Sequence, residues 1–490
     1  MSVIIVSDRF FAVFDIGTTG TRSIIVDEEG REVSKAYEEY PPKPGGVMIH
    51  EQVADTFWRT SANTMQRALA GCKHGPDAIV GVVVSTTRDS ITPIDKDGNA
   101  LAPTVTWLDN RSGAKSKEMA AEIGPRKSVN KLMWFIENKP DLFKKAHKWL
   151  SLDAFINKRL CNALVTSPAD ARFGPIDHET LQWSEELCEA TGIPMEKLAE
   201  IKNSGSLIGE INSEASKATT LRRGTPVILG SGDQQCSALG MGIIEPGLVK
   251  ATTGTGTFVI THLEEFVEES FVMFCNPSAI PGKWILEGVT PGTGLTYKWY
   301  RDQYCEPEMA LAAKTDQDAY QIIESSAASV PAGSDGLLMF PFMAYKLGVL
   351  YHLGFGHTKA HVARAILEAN GYIISFYLEM MEGMLDLEFK ELRIGGGGSN
   401  SPLWRQIQAD CINKPVVMPK VRDSTVIGAA ILGAVGTGIY GGYKEAVENM
   451  FHIEERREPI PENVEVYKTQ YPIFNKLITA EMGNILDAIS

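Results

Sequence analysis

A short strand–turn–strand unit occurs twice in this chain, once at its beginning and once past its midpoint. Residues 11–16 are an apolar run, Gly17-Thr18-Thr19-Gly20 reads as a turn, and residues 22–27 are a second run rich in β-branched residues. After a further turn at Glu28-Glu29-Gly30, residues 32–40 suit a third strand, which makes an antiparallel meander. The pattern returns after Glu245-Pro246-Gly247, where residues 248–252 and 257–261 are strands flanking a turn. The quartet Thr18-Thr19-Gly20-Thr21 is echoed by Thr252-Thr253-Gly254-Thr255. Two unrelated hairpins using common turn chemistry would look alike. Here each copy follows one apolar strand and precedes another, which favours a duplicated domain. A chain of 490 residues has room for two or three domains, and two such halves would enclose a cleft of the kind that binds small molecules.

Several classes are excluded by charge and cysteine pattern. Acidic residues outnumber basic ones, 61 to 47, and there is no long basic run, which argues against a nucleic-acid partner. Seven scattered cysteines without a Cys-x-x-Cys pair exclude a zinc ribbon or thioredoxin-type motif and leave no disulfide framework. Residues 3–14 are apolar but include Asp8 and Arg9, without a cationic leader or small-residue cleavage site, so no secretory signal is expected. Residues 1–9 read as a lead-in to the first strand. Residues 426–443 carry no charge and reach the lower length limit for a membrane span, yet six of them are glycine. They read as a buried, tightly packed helix in a soluble, cytoplasmic protein with no membrane partner.

Between the two meanders, residues 41–46 read as loop. Residues 51–70 have helical periodicity, with Val53, Phe57, Ala62, Met65 and Leu69 near one face. Residues 78–85 and 104–107 read as strands, residues 127–202 as mainly helical, residues 224–230 as a strand and residues 233–240 as a helix. Near the end, residues 392–394 and 403–413 read as strand and helix.

Five segments carry chemistry. Asp15-Ile16-Gly17-Thr18-Thr19-Gly20-Thr21-Arg22 gathers a carboxylate, two glycines, three hydroxyls and an arginine around one turn. Such a turn brings backbone amides and hydroxyls close to phosphate oxygens, and a strand-end carboxylate suits Mg²⁺ held through water; the same residues also suit a plain capped hairpin. It is not a Walker A loop. Gly395-Gly396-Gly397-Gly398-Ser399-Asn400-Ser401 joins a strand to a helix, where a base or phosphate can lie on bare backbone. It fails the dinucleotide pattern, because the third glycine position falls on Asn400. Gly232-Asp233-Gln234-Gln235 also opens a helix, so Asp233 serves as an N-cap, as a general base, or as both. Arg88-Asp89 at a strand end is either a solvated pair or a polyol site, since arginine donates to polyol oxygens and a carboxylate accepts from its hydroxyls. Trp107-Leu108-Asp109-Asn110-Arg111 repeats that logic beside an apolar wall, with tryptophan as core or as sugar platform.

Taken in order, these residues resemble the FGGY carbohydrate kinase family. The matching motifs are Asp15-x-Gly-Thr-Thr-x-x-Arg22, Trp107-x-Asp109-x-Arg111, Gly232-Asp233-Gln234-Gln235, Gly254-Thr255-Gly256, Leu286-Glu287-Gly288, Gly395-Gly396-Gly397 leading to Trp404-x-Gln-Ile-x-Ala-Asp410, and Gly428-Ala429-Ala430. The resemblance spans essentially the whole chain. It implies an α/β protein of two actin-like (ribonuclease-H-like) domains, residues 1–246 and 247–490, with an ATP and substrate cleft between them and a hinge near residue 247. It implies ATP and Mg²⁺ as cofactors and a small sugar or polyol as substrate, and it is compatible with a homodimer. By resemblance Asp233 is the catalytic base, and Arg88, Asp89, Trp107, Asp109, Asp233 and Gln234 are substrate ligands. Thr18, Thr19 and Arg22 are phosphate contacts, Thr255 and Gly294 serve the nucleotide, and Gly396, Gly397 and Ser401 form the adenosine turn, with Asn400 as the alternative to Ser401. Asp15 and Asp233 are the metal ligands.

The expected substrate is a short ketose or polyol, and three members of the family compete as guides. The Gly-Asp-Gln-Gln run and the arginine–acid pair look like glycerol kinase, but residues 126–134 hold no tyrosine. Xylulokinases resemble the segment around Trp404, but Thr86-Thr87-Arg88-Asp89 replaces their usual loop. Residues 295–305 and Arg88-Asp89 are similar to autoinducer-2 kinases, which act on a short linear hydrated diketone. The rival from another class is an actin-like nucleotide switch without small-molecule turnover. Convergence of Arg88, Asp89, Trp107 and Asp109 near Asp233 distinguishes the kinase from it.

Overall fold

The computed structural model describes residues 9–41, 50–112, 127–172, 174–270, 272–343 and 346–489, with side chains to residue 480. The expected lead-in at residues 1–8 and most of the loop at residues 42–46 lie outside the described residues.

Each half is organised around one mixed sheet. In the first, β1 (Phe10–Ile16), β2 (Gly20–Asp27) and β3 (Glu32–Glu39) form the expected meander. β4 (Ile79–Thr86) and β6 (Pro226–Ile228) extend it in parallel, and β5 (Leu207–Glu210) closes the edge antiparallel, in the order β5-β6-β4-β1-β2-β3. The second sheet repeats the plan. Its meander is β7 (Val249–Thr253), β8 (Thr257–Leu263) and β10 (Trp284–Thr290), with β9 (Met273–Pro277) added outside. β11 (Leu392–Gly395) and β12 (Val416–Pro419) follow in parallel, and β13 (Ile453–Arg457) closes that edge antiparallel. The duplication is therefore present in the topology, but the two Thr-Thr-Gly-Thr quartets are not equivalent. The first lies in its turn and the start of β2, whereas the second spans the end of β7 and its turn. By strand ends, Gly17-Thr18 corresponds to Gly254-Thr255.

The central strands are apolar because both their faces are covered. Along β1, Phe10, Ala12, Phe14 and Ile16 pack under helix α1 (Ala54–Gly71), while Phe11 and Val13 face the opposite layer. That opposite layer is supplied by the other half: Val426, Ile427, Ala430 and Ile431 of the late helix at residues 424–436 pack on Phe11, Val13 and Val83. The exchange is reciprocal, since Ala238 of helix α2 (Asp233–Gly240) and the following Met241 pack with Ile260 and Ile285 of the second sheet. The outer face of the second sheet is covered by α4 (Lys359–Leu385) and α5 (Pro402–Ile412), introduced after α3 (Thr293–Tyr304). The late helix is α6 (Ser424–Gly436), and it crosses α2 with no room between the backbones. A Cβ built on Gly428 would sit 1.8 Å from the Cys236 carbonyl oxygen, and one on Gly240 would sit 1.9 Å from that of Ser424. This accounts for Gly428, and Gly433 and Gly436 likewise lack room for a Cβ, whereas residues 437–442, expected in the same helix, form turns beyond its end. No helix among the described residues is long and apolar enough to cross a membrane.

Residues 127–202 are less helical than expected. Helices Lys127–Asn138, Pro140–Lys145, Leu152–Cys161 and Glu185–Thr191 alternate with short strands Lys148–Ser151, Val165–Thr166 and Glu200–Ile201. Lys148–Ser151 joins a small four-stranded sheet with Glu51–Gln52, Ile91–Ile94 and Thr104–Val105. All seven cysteines are free thiols.

Candidate active site

Register decides which loops meet. β1 pairs in parallel with β4, ending at Ile16 beside Thr86, and Thr86 also bridges Gly232. The turn after β1, the Arg88-Asp89 segment and the head of α2 therefore leave one sheet side by side, at its carboxyl edge, where α/β proteins bind ligands. In the second half Thr252 pairs with Gly395, which sets the turn at residues 254–256 beside the glycine run at residues 396–400.

Antiparallel pairing of Asp15 with Arg22 brings their side chains together, and Arg22 donates from Nε (3.0 Å) and Nη2 (2.6 Å) to Asp15 Oδ2. Its Nη1 reaches Asp423, just ahead of α6, so the arginine ties the two halves together. Burial raises the Asp15 carboxyl above the ordinary carboxylate range, opposed by Arg22 and reinforced by Asp423. Thr18 Oγ1 accepts from Trp107 Nε1 at 2.9 Å, and Thr19 lies exposed with its carbonyl holding Tyr40 N–H.

Asp233 heads α2 with its side chain 29% exposed, accepts the Gln234 N–H at 2.8 Å, and stands 4.0 Å from Arg88 Nε. Burial raises its carboxyl; Arg88 opposes the rise, while Asp15 and Glu287 add to it. Arg88 is committed elsewhere: Nη1 and Nη2 donate to Oε2 and Oε1 of Glu287 at 2.9 and 3.0 Å. Asp89 adopts a left-handed backbone (φ 57°) and is held by buried Lys131, whose Nζ donates to its Oδ2 (2.9 Å) and carbonyl (2.7 Å).

Not every expected residue faces the cleft. Asp109 has a fully buried side chain whose two oxygens accept from Arg111 (2.8 and 2.7 Å), with His50 N–H also donating. Burial alone would raise it, but the Arg111 and His50 hydrogen bonds hold it below the usual range. Its placement is that of a loop anchor. Ser401 likewise turns inward, capping α5 by accepting Trp404 N–H at 3.0 Å, so that Asn400, beside Arg422, is the exposed residue of that turn. Thr255 is exposed, and Gly294 is required for packing, since a Cβ there would lie 1.8 Å from the Gly254 carbonyl oxygen. Gly396 has φ 78° and no space for a Cβ beside Thr253, whereas Gly397 faces open space.

Lys131 and Lys250 were missed, and Glu287 was noted only within the Leu286-Glu287-Gly288 motif, without a role. Lys250 projects from β7 and donates from Nζ to Gln234 Oε1 (3.1 Å), Ser237 Oγ (2.9 Å) and Thr252 Oγ1 (3.0 Å). It thus links the phosphate-type turn of one half to the base-bearing helix of the other. With only neutral acceptors, burial lowers its amine to about 7. The unfolded chain keeps an ordinary lysine, so between about 7 and 10.5 it binds more protons than the folded chain. Stability should therefore rise with pH across that window, and the cost of the buried charge is carried in full below it. Melting midpoints of the wild type and Lys250→Met measured from pH 6 to 10 check this: the variant should show the flatter profile, and equal slopes would contradict it.

The donor set also bears on a divalent cation. Among the described residues no cluster of three or more His, Cys, Asp or Glu could cage a metal. Mg²⁺ keeps several waters and uses one or two carboxylates with substrate phosphates, a need that a strand-end carboxylate such as Asp15 can meet. Asp15 and Asp423 share Arg22, and the charge of Asp15 raises the carboxyl of Asp233, which stands beside Arg88.

Residues 10–240 match the N-terminal domain of the FGGY family of carbohydrate kinases, and residues 249–437 match its C-terminal domain. The chain belongs to this family. It is therefore a kinase, a phosphotransferase whose acceptor is a hydroxyl, and the family's phosphoryl donor is ATP. An autoinducer-2 kinase of Photorhabdus laumondii is 27% identical over 494 residues, covering 94% of this chain and 92% of that protein. Two solved structures show the same fold. A ligand-bound xylulose kinase from Lactobacillus acidophilus has TM-score 0.86 at 22% identity, covering 97% of this chain and 98% of its own. Plasmodium falciparum glycerol kinase with ADP has TM-score 0.82 at 20% identity, covering 96% and 98%. The FGGY architecture is the expected α/β pair of actin-like domains.

Proposed function

We propose that the protein transfers the γ-phosphoryl group of Mg²⁺-ATP to a hydroxyl of a short sugar, either a ketose such as xylulose or a linear substrate of the autoinducer-2 type. The observation that carries this reading is Asp233: a carboxylate at a helix head, open to the cleft, beside Arg88, with its proton affinity raised by burial. The autoinducer-2 kinase relatives, similar along nearly the whole chain, support the choice of a short linear acceptor. In this reading residues 1–246 hold the sugar and the base, and residues 247–490 hold the nucleotide.

Asp233 accepts the proton of the attacking hydroxyl as its oxygen bonds to the γ-phosphorus and the bond to ADP breaks. Arg88, Asp89, Trp107 and Gln234 orient the acceptor. Thr18, Thr19 and Arg22 on one side and Thr255 on the other donate to the phosphates, and α3 directs its uncapped N-terminus at the same region. Gly396 and Gly397, with Asn400 at the exposed edge, leave bare backbone for the adenosine. Asp15, through water, and Asp233 would hold Mg²⁺, which neutralises charge on the β- and γ-phosphates.

The test is Mg-ATP-dependent ADP release over glycerol, erythritol, xylulose, ribulose, gluconate and the linear autoinducer-2 precursor, each against a blank without acceptor. One short ketose or linear compound should raise turnover far above the blank, and EDTA should abolish it. ATP binding with a flat response to every acceptor would favour a nucleotide switch.

A further inference from the structure

Arg88 reaches the acceptor site already paired. Its partner Glu287 belongs to the other half, on β10 between β8 and β9, where it stands opposite Ile260 and Phe274. The Glu287 side chain is 2% exposed. One oxygen takes Arg88 Nη2; the other takes Arg88 Nη1 and Asn276 Nδ2, the latter at 2.8 Å. The end-on fork, one of the bidentate faces that make arginine a carboxylate or phosphate receptor, is thus consumed across the cleft. The side face of the guanidinium, Nε with the second N–H of Nη2, is left toward Asp233, whose Oδ1 stands 4.0 Å from Nε. The other charged residue of the acceptor site is matched too, since Asp89 is held by Lys131.

We propose that Glu287 is a positioning residue that sets the charge class of the acceptor: by occupying the fork of Arg88 from the opposite half, it makes the site accept an uncharged polyol or ketose and reject a sugar acid. The inference rests on the kinase reading and narrows it. A carboxylate entering this site would meet Asp233 and Glu287, two negative charges against the one positive charge of Arg88, with the end-on fork of that guanidinium already taken, and discrimination by such like-charge juxtaposition is strong. A hydroxyl meets no such conflict, because it accepts from the remaining arginine edge and donates to Asp233. The pair also requires the two halves to stand close together, so the selective form of the site is assembled by both.

The experiment uses full-length protein, wild type and E287Q, with ADP release for the best neutral acceptor and with gluconate and sorbitol as probes of matched size. Wild type should turn over the neutral acceptor, and gluconate should neither react nor inhibit more than sorbitol. In E287Q the fork is released. Its KM for the neutral acceptor should rise by about tenfold or more, the scale of one charge-assisted hydrogen bond misplaced. Its KM for Mg-ATP should stay unchanged, and gluconate should inhibit or react at least about tenfold better than in wild type. The double variant Arg88→Met, Glu287→Met removes the fork and should lose that gain. If E287Q does not fold, the wild-type comparison and the double variant still decide. Preference of the wild type for gluconate overturns the proposal, as does an E287Q whose gluconate response is unchanged or whose KM for ATP moves in step with that for the acceptor. Absence of turnover with every compound and both proteins overturns the kinase reading instead.

Discussion

Asp233→Asn is expected to bind Mg-ATP within a few-fold of wild type and to lose about 10²–10⁴-fold in kcat, the range contributed by a positioned general base. The substitution is nearly isosteric, and its amide oxygen can keep the hydrogen bond from Gln234 N–H that Asp233 Oδ1 makes. What it removes is the capacity to take a proton. The pH dependence follows from the same group. Burial raises its carboxyl above the ordinary aspartate value, with Arg88 pulling it back and Asp15 and Glu287 pushing it further. A base works only when deprotonated, so activity should fall on acidification at a higher pH than an exposed aspartate would set. Profiles of kcat/KM against pH check this, because the acidic limb should be present in wild type and missing from the residual activity of Asp233→Asn. Retained turnover in the variant would remove Asp233 from the base role.

Gly428→Val is expected to destabilise the fold by roughly 3 kcal/mol or more, at the upper end of what overpacked positions cost. The two halves exchange helices, α6 covering the first sheet and α2 the second, and the exchange depends on a crossing at Gly240 and Gly428. Any Cβ at Gly428 would strike the Cys236 carbonyl, which is backbone and cannot swing aside. Separating the helices would also pull apart the Ser237–Ser424 hydrogen bond and the Lys250 contacts behind it. Gly397→Ala is the contrasting control: nothing lies within 4 Å of a Cβ there, so its melting point should match wild type while its KM for ATP rises. Thermal denaturation of the two variants makes the comparison, and an unchanged midpoint for Gly428→Val would contradict the crossing as a determinant of stability.

Much of this arrangement was legible because buried central strands and glycine turns leave strong marks. The runs ending at Ile16 and Thr252, and the turns that follow, placed the first two strands of each meander within a residue or two, while the third strand of the second, Trp284–Thr290, was not read. Edge strands left no such mark. Ile453–Arg457 reads Ile-Glu-Glu-Arg-Arg and has no apolar alternation; it is held by Arg456 on Glu391 and Arg405 on Glu455, pairs that exist only once the chain has folded. Lys148–Ser151 was absorbed into a helical region because four residues carry too little periodicity to oppose their neighbours.

The site divides in the same way. Arg88 and Asp233 are far apart in sequence, and only the bridge between Thr86 and Gly232 sets them together. Asp109 was read as a ligand in a motif where acid and base sit two residues apart, and that spacing lets Asp109 and Arg111 satisfy each other. Lys250 and Glu287 did leave a signal: a single charge inside an otherwise apolar or small-residue strand, Val-Lys-Ala-Thr-Thr in one case and Trp-Ile-Leu-Glu-Gly-Val-Thr in the other. A lone charge in a strand buried on both faces has to be paired or functional. Its partner lies on the other half, which no local pattern records.

The most direct test of the account is ³¹P nuclear magnetic resonance of a reaction containing the protein, Mg-ATP and the acceptor that most stimulates ADP release. The account predicts a phosphomonoester resonance that grows in step with ADP, little inorganic phosphate, and no such resonance with Asp233→Asn. ADP accompanied by inorganic phosphate alone would mean that water, not a sugar hydroxyl, receives the phosphoryl group, and would contradict the assignment of this cleft to sugar phosphorylation.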